Sequence, residues 1–433
     1  MAKRVRPPAR PVTMVLDGRA IVADAGETVA CALVASGIRT IARSPKFHRP
    51  RGASCMRGGC DGCVVRINGI PNVLGCLEGC REGMQIETQN RVGPRDFDLL
   101  RASDWFFASG MNHHELFIGV PGAEPFIRHF ARRISGLGHL PDEPLAVVQG
   151  ARRSVPVVVV GGGAAGIAAA VAFVDAGRRV ELIDESISLD SSLTSHTGAD
   201  ETLAKTLLAR VRAQEGEGRV VLRSGTRVVG VLSGLLLAES ASGAEVIDAG
   251  LTILATGAHD GTPLFEGNDL PAVYSLRAAR RLWASGVVPG EKMVIVVHED
   301  ASPSAHSLAR SLAGDLATEG ISAALRVGRV VRAHGTSSVR KVTLKSADGA
   351  EETLGADTLI VEPVRAPSFE LASQSGAPIA RSAGGFAVAS TFWGGRFAAI
   401  GQVTGAEPCV SAFASCAAQL VAQTADHAPF SRV

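Results

Sequence analysis

Four cysteines near the start of the chain, Cys55, Cys60, Cys63 and Cys76, follow the spacing C-x4-C-x2-C-x12-C. Plant-type 2Fe–2S centres use C-x4-C-x2-C followed by a distant fourth cysteine. The first three cysteines share the loop CMRGGCDGC, with glycines at Gly58, Gly59 and Gly62. Backbone N–H groups must come close to a cluster's sulfides, and side chains would block that approach. The four cysteines are therefore expected to hold one 2Fe–2S cluster. A zinc site is the competing reading, because C-x2-C is also half of one. It would call for a second C-x2-C pair, whereas Cys76 and Cys80 are separated by three residues. A cluster carries one electron at a time, so redox chemistry is expected rather than hydrolysis or binding alone.

A second constellation begins at Ser154. VPVVVVGGGAAGIAAAVAFVDAGRRVELIDE reads as strand, glycine turn, helix and second strand. Gly161, Gly163 and Gly166 form G-x-G-x-x-G. Asp184, followed by Glu185, ends the second strand 23 residues after Gly161. The first glycine makes the tight turn, the second admits a pyrophosphate, and the third allows close helix–strand packing. The helix start at Ala164 and Ala165 turns its N–H groups to the phosphates, and the carboxylate accepts from a ribose hydroxyl. An acid at 184 argues against a 2′-phosphate. Two later strand ends, Ala255-Thr256-Gly257 and Gly401-Gln402, are placed to bring backbone near a bound flavin. A helix is expected after the second of these, from about Pro408. No nucleophile–base pair stands out, so no catalytic residue is assigned.

The elements that must position these groups follow from local signals. TMVLDGRAIVA reads as a hairpin turning at Asp17-Gly18, and VVRINGIPNVLGC as a second one turning at Asn68-Gly69. Between them lies a helix with Thr28 as its cap and Gly37 as its stop. Hairpin, helix, metal loop and hairpin fit a β-grasp ferredoxin-like domain over residues 1–92 and place Cys76 where it can return to the loop. Cys31 and Cys80 read as packing residues. Residues 93–153 read as a helical connector, and His113 and His114, adjacent on a helix, do not share a face for a metal. Residues 154–433 read as a Rossmann-type two-dinucleotide domain. The fold class is α/β. Cys409 and Cys416, both placed on the final helix, read as core packing, with a partner contact as the alternative.

The 433 residues are 46% hydrophobic and 4% aromatic, with a net charge of +2. Only the N-terminal arm, AKRVRPPAR, is locally basic. It reads as a solvated tail rather than a nucleic-acid arm. No secretory signal is evident, the most apolar stretch carries glycines in a turn pattern, and the clustered cysteines suit a reducing compartment. A cytoplasmic protein with no membrane span and no nucleic-acid partner is expected.

The sequence resembles the α subunits of heterooligomeric sarcosine oxidases and their relatives, the amino-acid, opine and hydroxyproline dehydrogenases and hydrogen cyanide synthase. The marks are RSPKFHRPRG at 43–52, EPFIRHFARRISGLGHLP at 124–141, GGGAAGIAAA, ATGAHDGTPLFEGNDLPAVYS and GQVTG. The resemblance implies a partner β subunit that carries the substrate flavin, with a further FMN at the interface in some members. It implies FAD over Gly161–Gly166.

Two departures matter. The family's second glycine-rich turn is here MVIVVHEDASPSAHS, where His298, Glu299 and Asp300 follow the strand. Two carboxylates would repel a pyrophosphate, so the second nucleotide site is expected to be degenerate. Gln402 stands where flavoproteins of this fold often carry an acid beside the flavin's ribityl chain, which leaves a structural nucleotide as the other occupant. Sarcosine oxidase α subunits also continue into a folate-binding-like domain, whereas this sequence stops at Val433. The expected role is an electron-transfer α subunit of an amine or amino-acid dehydrogenase or oxidase, passing electrons from a partner flavin through the cluster to an external acceptor. The alternatives are a stand-alone NAD(P)H-dependent reductase and a non-catalytic scaffold.

Overall fold

The chain is described from a computed structural model covering residues 2–45, 47–91, 93, 98, 122, 150–261, 263–382 and 384–425. The expected connector helices, His113, His114 and the 124–141 motif lie outside the described residues.

The N-terminal domain folds as its turn residues dictate. Pro11–Leu16 and Arg19–Asp24 form an antiparallel hairpin. Asp17 and Gly18, both at positive φ, supply the tight turn that matches strand twist. Asn68 and Gly69 do the same between Val64–Ile67 and Ile70–Leu74. The helix Val29–Ala35 starts at Thr28, whose hydroxyl accepts from the Cys31 N–H, and Gly37 follows its end at positive φ. Among the described residues five strands make the sheet. Its central strand, Gln85–Thr88, carries no turn or glycine signal that distinguishes it in the sequence. It pairs parallel to Pro11–Leu16 and antiparallel to Val64–Ile67, which closes the β-grasp.

The second part contains two βαβ units. The first has Ala151–Val160, the helix Ala164–Asp175 and Val180–Asp184, with parallel neighbours Val220–Ser224 and Gly243–Leu254. Its first strand starts at Ala151, inside the stretch expected to be connector. Phe397–Ala399 lies parallel to Gly243–Leu254 on the other side. The second unit runs from Lys292–Val297 through the helix Pro303–Thr318 to Ser322–Val327, in a parallel sheet with Thr358–Val361 and Val273–Ser275.

One buried apolar cluster runs from Met14 and Leu33 through Tyr274 to Ile295 and Leu312. It joins the β-grasp domain to the second βαβ unit. Cys31 and Cys80 lie in this core, as packing residues should. The basic arm is not a solvated tail. Lys3–Arg4 pairs antiparallel to Val287–Val288, Arg4 meets the buried Glu27, and Arg6 donates to the Trp283 carbonyl. The arm and Val287–Val288 form a two-stranded ladder of their own. Core packing is also wrong for Cys409 and Cys416. Cys409 precedes the helix Val410–Thr424 half-buried, and Cys416 on that helix is exposed. The face of this helix that packs inward carries Phe413, Ala417 and Leu420 instead.

Candidate cluster loop and nucleotide pocket

The loop after Gly52 is held from both sides. Ser54 Oγ donates to the Val273 carbonyl at 2.7 Å, and the Ser275 N–H donates back to the Ser54 carbonyl at 2.9 Å. Arg281 Nη1 donates to the Met56 carbonyl at 3.0 Å. A Cβ on Gly62 would stand 1.9 Å from the Gly52 carbonyl oxygen, so the loop closes only with glycine there.

This packing gathers the four cysteines named by their spacing. Cys55 accepts from the thiols of Cys60 and Cys76, and Cys76 also contacts Cys63. Backbone groups point at the sulfurs: Arg57 N–H lies 3.4 Å from Cys55 Sγ and Gly58 N–H 3.2 Å from Cys76 Sγ. The two thiol contacts hold Cys55 far below the ordinary thiol value, at about 2. Their hydrogen bonds to Cys55 push Cys60 and Cys76 up. Four sulfurs this close cannot all ionise alone, and a bound cationic group that deprotonates its thiols removes the conflict. Cys80 stands apart, its thiol raised to about 12 by burial.

The nucleotide motif opens at the carboxyl ends of four parallel strands, the position where open α/β sheets bind ligands. A cavity of about 270 Å³ is lined there by Gly161, Gly163, Ala164, Ala165, Asp184, Glu185, Ala255, Thr256, Gly257 and Gln402. Gly166 and Gly401 support it from behind. A Cβ on Gly166 would lie 1.8 Å from the Gly161 carbonyl oxygen, and one on Gly401 2.5 Å from Ala165 Cβ. A Cβ on Gly163 would meet nothing within 4 Å, which leaves the helix N-terminus open to a phosphate. Asp184 accepts from Gly162 N–H at 2.5 Å and Ser186 N–H at 2.8 Å. These bonds orient the carboxylate and leave lone pairs for ribose hydroxyls. The cradle fits an adenine dinucleotide.

Side chains that the motifs do not name also reach this cavity: Arg57, Arg277, Arg281, Arg365, Ser195 and His196. Arg57 comes from the cluster loop. Arg277 and Arg281 share a face of the helix Leu276–Ala284, whose closely spaced arginines were the one available signal. Burial lowers the His196 imidazole.

The second βαβ unit differs in its turn. Ser302 caps the helix Pro303–Thr318 by accepting from Ala305 N–H, and His298 Nδ1 accepts from Asp300 N–H at 3.2 Å. Asp300 is 88% exposed at its side chain. One N–H of the helix N-terminus is thus satisfied by the protein's own Ser302.

Comparison with known proteins finds a domain match over each of the two regions. Residues 9–91 match a 2Fe–2S iron–sulfur cluster binding domain, and residues 155–297 match the pyridine nucleotide-disulphide oxidoreductase family. The sarcosine oxidase subunit alpha of Rhizobium meliloti (strain 1021) is 30% identical over 329 residues, covering 70% of this chain and 33% of that one. The chain matches the sarcosine oxidase α-subunit family, with a 2Fe–2S domain fused to it. It is also similar to the hydrogen cyanide synthase subunit HcnA of Pseudomonas aeruginosa, 39% identical over 79 residues, or 18% of this chain and 75% of HcnA. The L-proline dehydrogenase from P. horikoshii shares the fold, with a TM-score of 0.68 and 20% identity over 98% of this chain and 76% of that one. This sarcosine oxidase α-like chain spans about a third of the length of the longer curated relatives, 33% and 30%. No described helix is long and apolar enough to cross a membrane.

Proposed function

We propose that this chain is the electron-transfer α subunit of a flavin-dependent amine or amino-acid dehydrogenase or oxidase complex, inactive without a flavin-bearing β subunit. One observation carries this reading: the cluster loop and the nucleotide cavity share a wall, since Arg57 belongs to the loop and lines the cavity. Cys55, Cys60, Cys63 and Cys76 would hold the 2Fe–2S cluster. Gly161, Gly163, Ala164, Ala165 and Gly166 would seat the pyrophosphate, with Asp184 and Glu185 at the adenosine ribose and Ala255, Thr256, Gly257, Gly401 and Gln402 along the far end. A flavin exchanges two electrons or one, and a cluster exchanges one, so the pair supplies a route for single electrons to an external acceptor.

FAD is the expected occupant. Gln402 in place of an acid favours a structural nucleotide as the second reading, and an FMN at the partner interface belongs to the same proposal. The stand-alone reductase is disfavoured because Glu299 and Asp300 leave NADH no evident seat. A cytoplasmic location is part of the proposal.

Stopped-flow absorbance of the assembled complex with its amine substrate tests this. Flavin bleaching should precede or accompany cluster reduction. If the isolated chain instead oxidises NADH with a dye at ordinary enzyme rates, about 1–1000 per second, the reductase reading replaces it. Cys76→Ser should abolish or strongly perturb the reduced cluster's EPR signal, while Cys80→Ser leaves it intact.

A further inference from the structure

The cations around the nucleotide cavity are mostly neutralised within the protein. Arg277 Nε donates to Asp260 at 2.6 Å, Arg365 pairs with Glu362 at 3.0 Å, and Arg227 with Glu185 at 3.2 Å. His259 faces Glu370 at 3.7 Å. Arg57 and Arg281 are different. Neither forms a salt bridge among the described residues, and no side-chain hydrogen bond of Arg57 is found there. Arg281 Nη1 reaches only the Met56 carbonyl, and its Nε is buried with no partner. Both side chains line the nucleotide cavity. Guanidiniums that no carboxylate pairs, set in a cavity wall, are suited to an anion. Asp184, which lines the same cavity, accepts from the Gly162 and Ser186 N–H groups and pairs with neither guanidinium among the described residues. A dinucleotide's pyrophosphate offers two negative charges for these two guanidiniums to pair with.

We propose that Arg57 and Arg281 grip the pyrophosphate of the bound nucleotide and thereby couple nucleotide occupancy to the cluster loop. The inference rests on the cluster and nucleotide assignments made above. Arg57 lies between the ligand positions Cys55 and Cys60, and Arg281 holds the same loop at Met56. A phosphate that pulls on either guanidinium therefore restrains the backbone that carries the sulfurs. By linkage, the nucleotide should strengthen cluster retention by the same factor by which the cluster strengthens nucleotide binding.

ADP, which carries the shared pyrophosphate, is the probe. With the full chain, saturating ADP should slow loss of cluster absorbance to an iron chelator, roughly five-fold or more. Arg57→Gln should bind ADP at least about ten-fold more weakly, the effect of a lost charged hydrogen bond. It should keep the reduced-cluster EPR signal and lose the ADP protection. Arg57→Lys should restore part of both. Arg281→Gln, whose change lies outside the loop, should repeat the result should Arg57→Gln fail to fold. Unchanged ADP affinity in both Gln variants, or equal ADP protection with and without the arginines, overturns the proposal. If wild-type protein shows no cluster signal, or Gly163→Val still binds ADP, the underlying site assignment has failed rather than the coupling alone.

Discussion

The two βαβ units share a topology and differ in what stands between strand and helix. In the first, the helix Ala164–Asp175 begins behind Gly163, where a Cβ would meet open space. In the second, the helix Pro303–Thr318 begins with its own Ser302 cap, behind His298, Glu299 and Asp300. Both helices present the same dipole. The first leaves its N-terminal N–H groups for a ligand, and the second satisfies one itself and surrounds the rest with acid. A fold therefore supplies a nucleotide seat only where the turn leaves room and charge for it.

That contrast can be broken most decisively at Gly163. Gly163→Val should empty the first site, read as no nucleotide released on denaturation, while the melting temperature of the nucleotide-free protein stays close to wild type because a Cβ there meets nothing within 4 Å. Unchanged nucleotide content would contradict the phosphate assignment. Gly166→Ala should do the opposite. Its Cβ would press on the Gly161 carbonyl, so denaturant titration should show a loss of about 1–3 kcal/mol or more.

Asp184→Ala removes a charged acceptor from the ribose position and should weaken nucleotide binding by about 1.5–3 kcal/mol in calorimetry. Part of that loss will come from freeing Gly162, which Asp184 now orients. The smallest effect is expected in the second unit. Glu299→Gln with Asp300→Asn should leave nucleotide stoichiometry and stability within about 0.5 kcal/mol of wild type, since both acids are at least partly exposed. Tight binding of NADH by that double variant would show that charge alone, and not the missing glycines and the Ser302 cap, closes the second site.

Much of this protein is written locally. The cysteine spacing, the two hairpin turns at Asp17-Gly18 and Asn68-Gly69, and the glycine motif all depend on residues a few positions apart. Sterics and hydrogen bonding within such short segments leave few alternatives. The candidate pocket residues from Gly161 to Gln402 were legible for the same reason, each sitting just past an apolar strand or in the turn and helix start that follow it.

What tertiary structure alone decided is long-range. Lys3–Arg4 became a strand only because Val287–Val288, nearly 300 residues on, lies alongside it. Cys416 turned outward because Phe413, Ala417 and Leu420 took the buried face, and Cys409 fell before the helix. Arg57 and Arg281 line one cavity across 224 positions of sequence, with Arg281 reaching the loop at the Met56 carbonyl. Their meaning depends on which acids already have partners once the chain has folded. Spacing reports neighbours along the chain, whereas a guanidinium's lack of a salt-bridge partner among the described residues is a property of the packed whole.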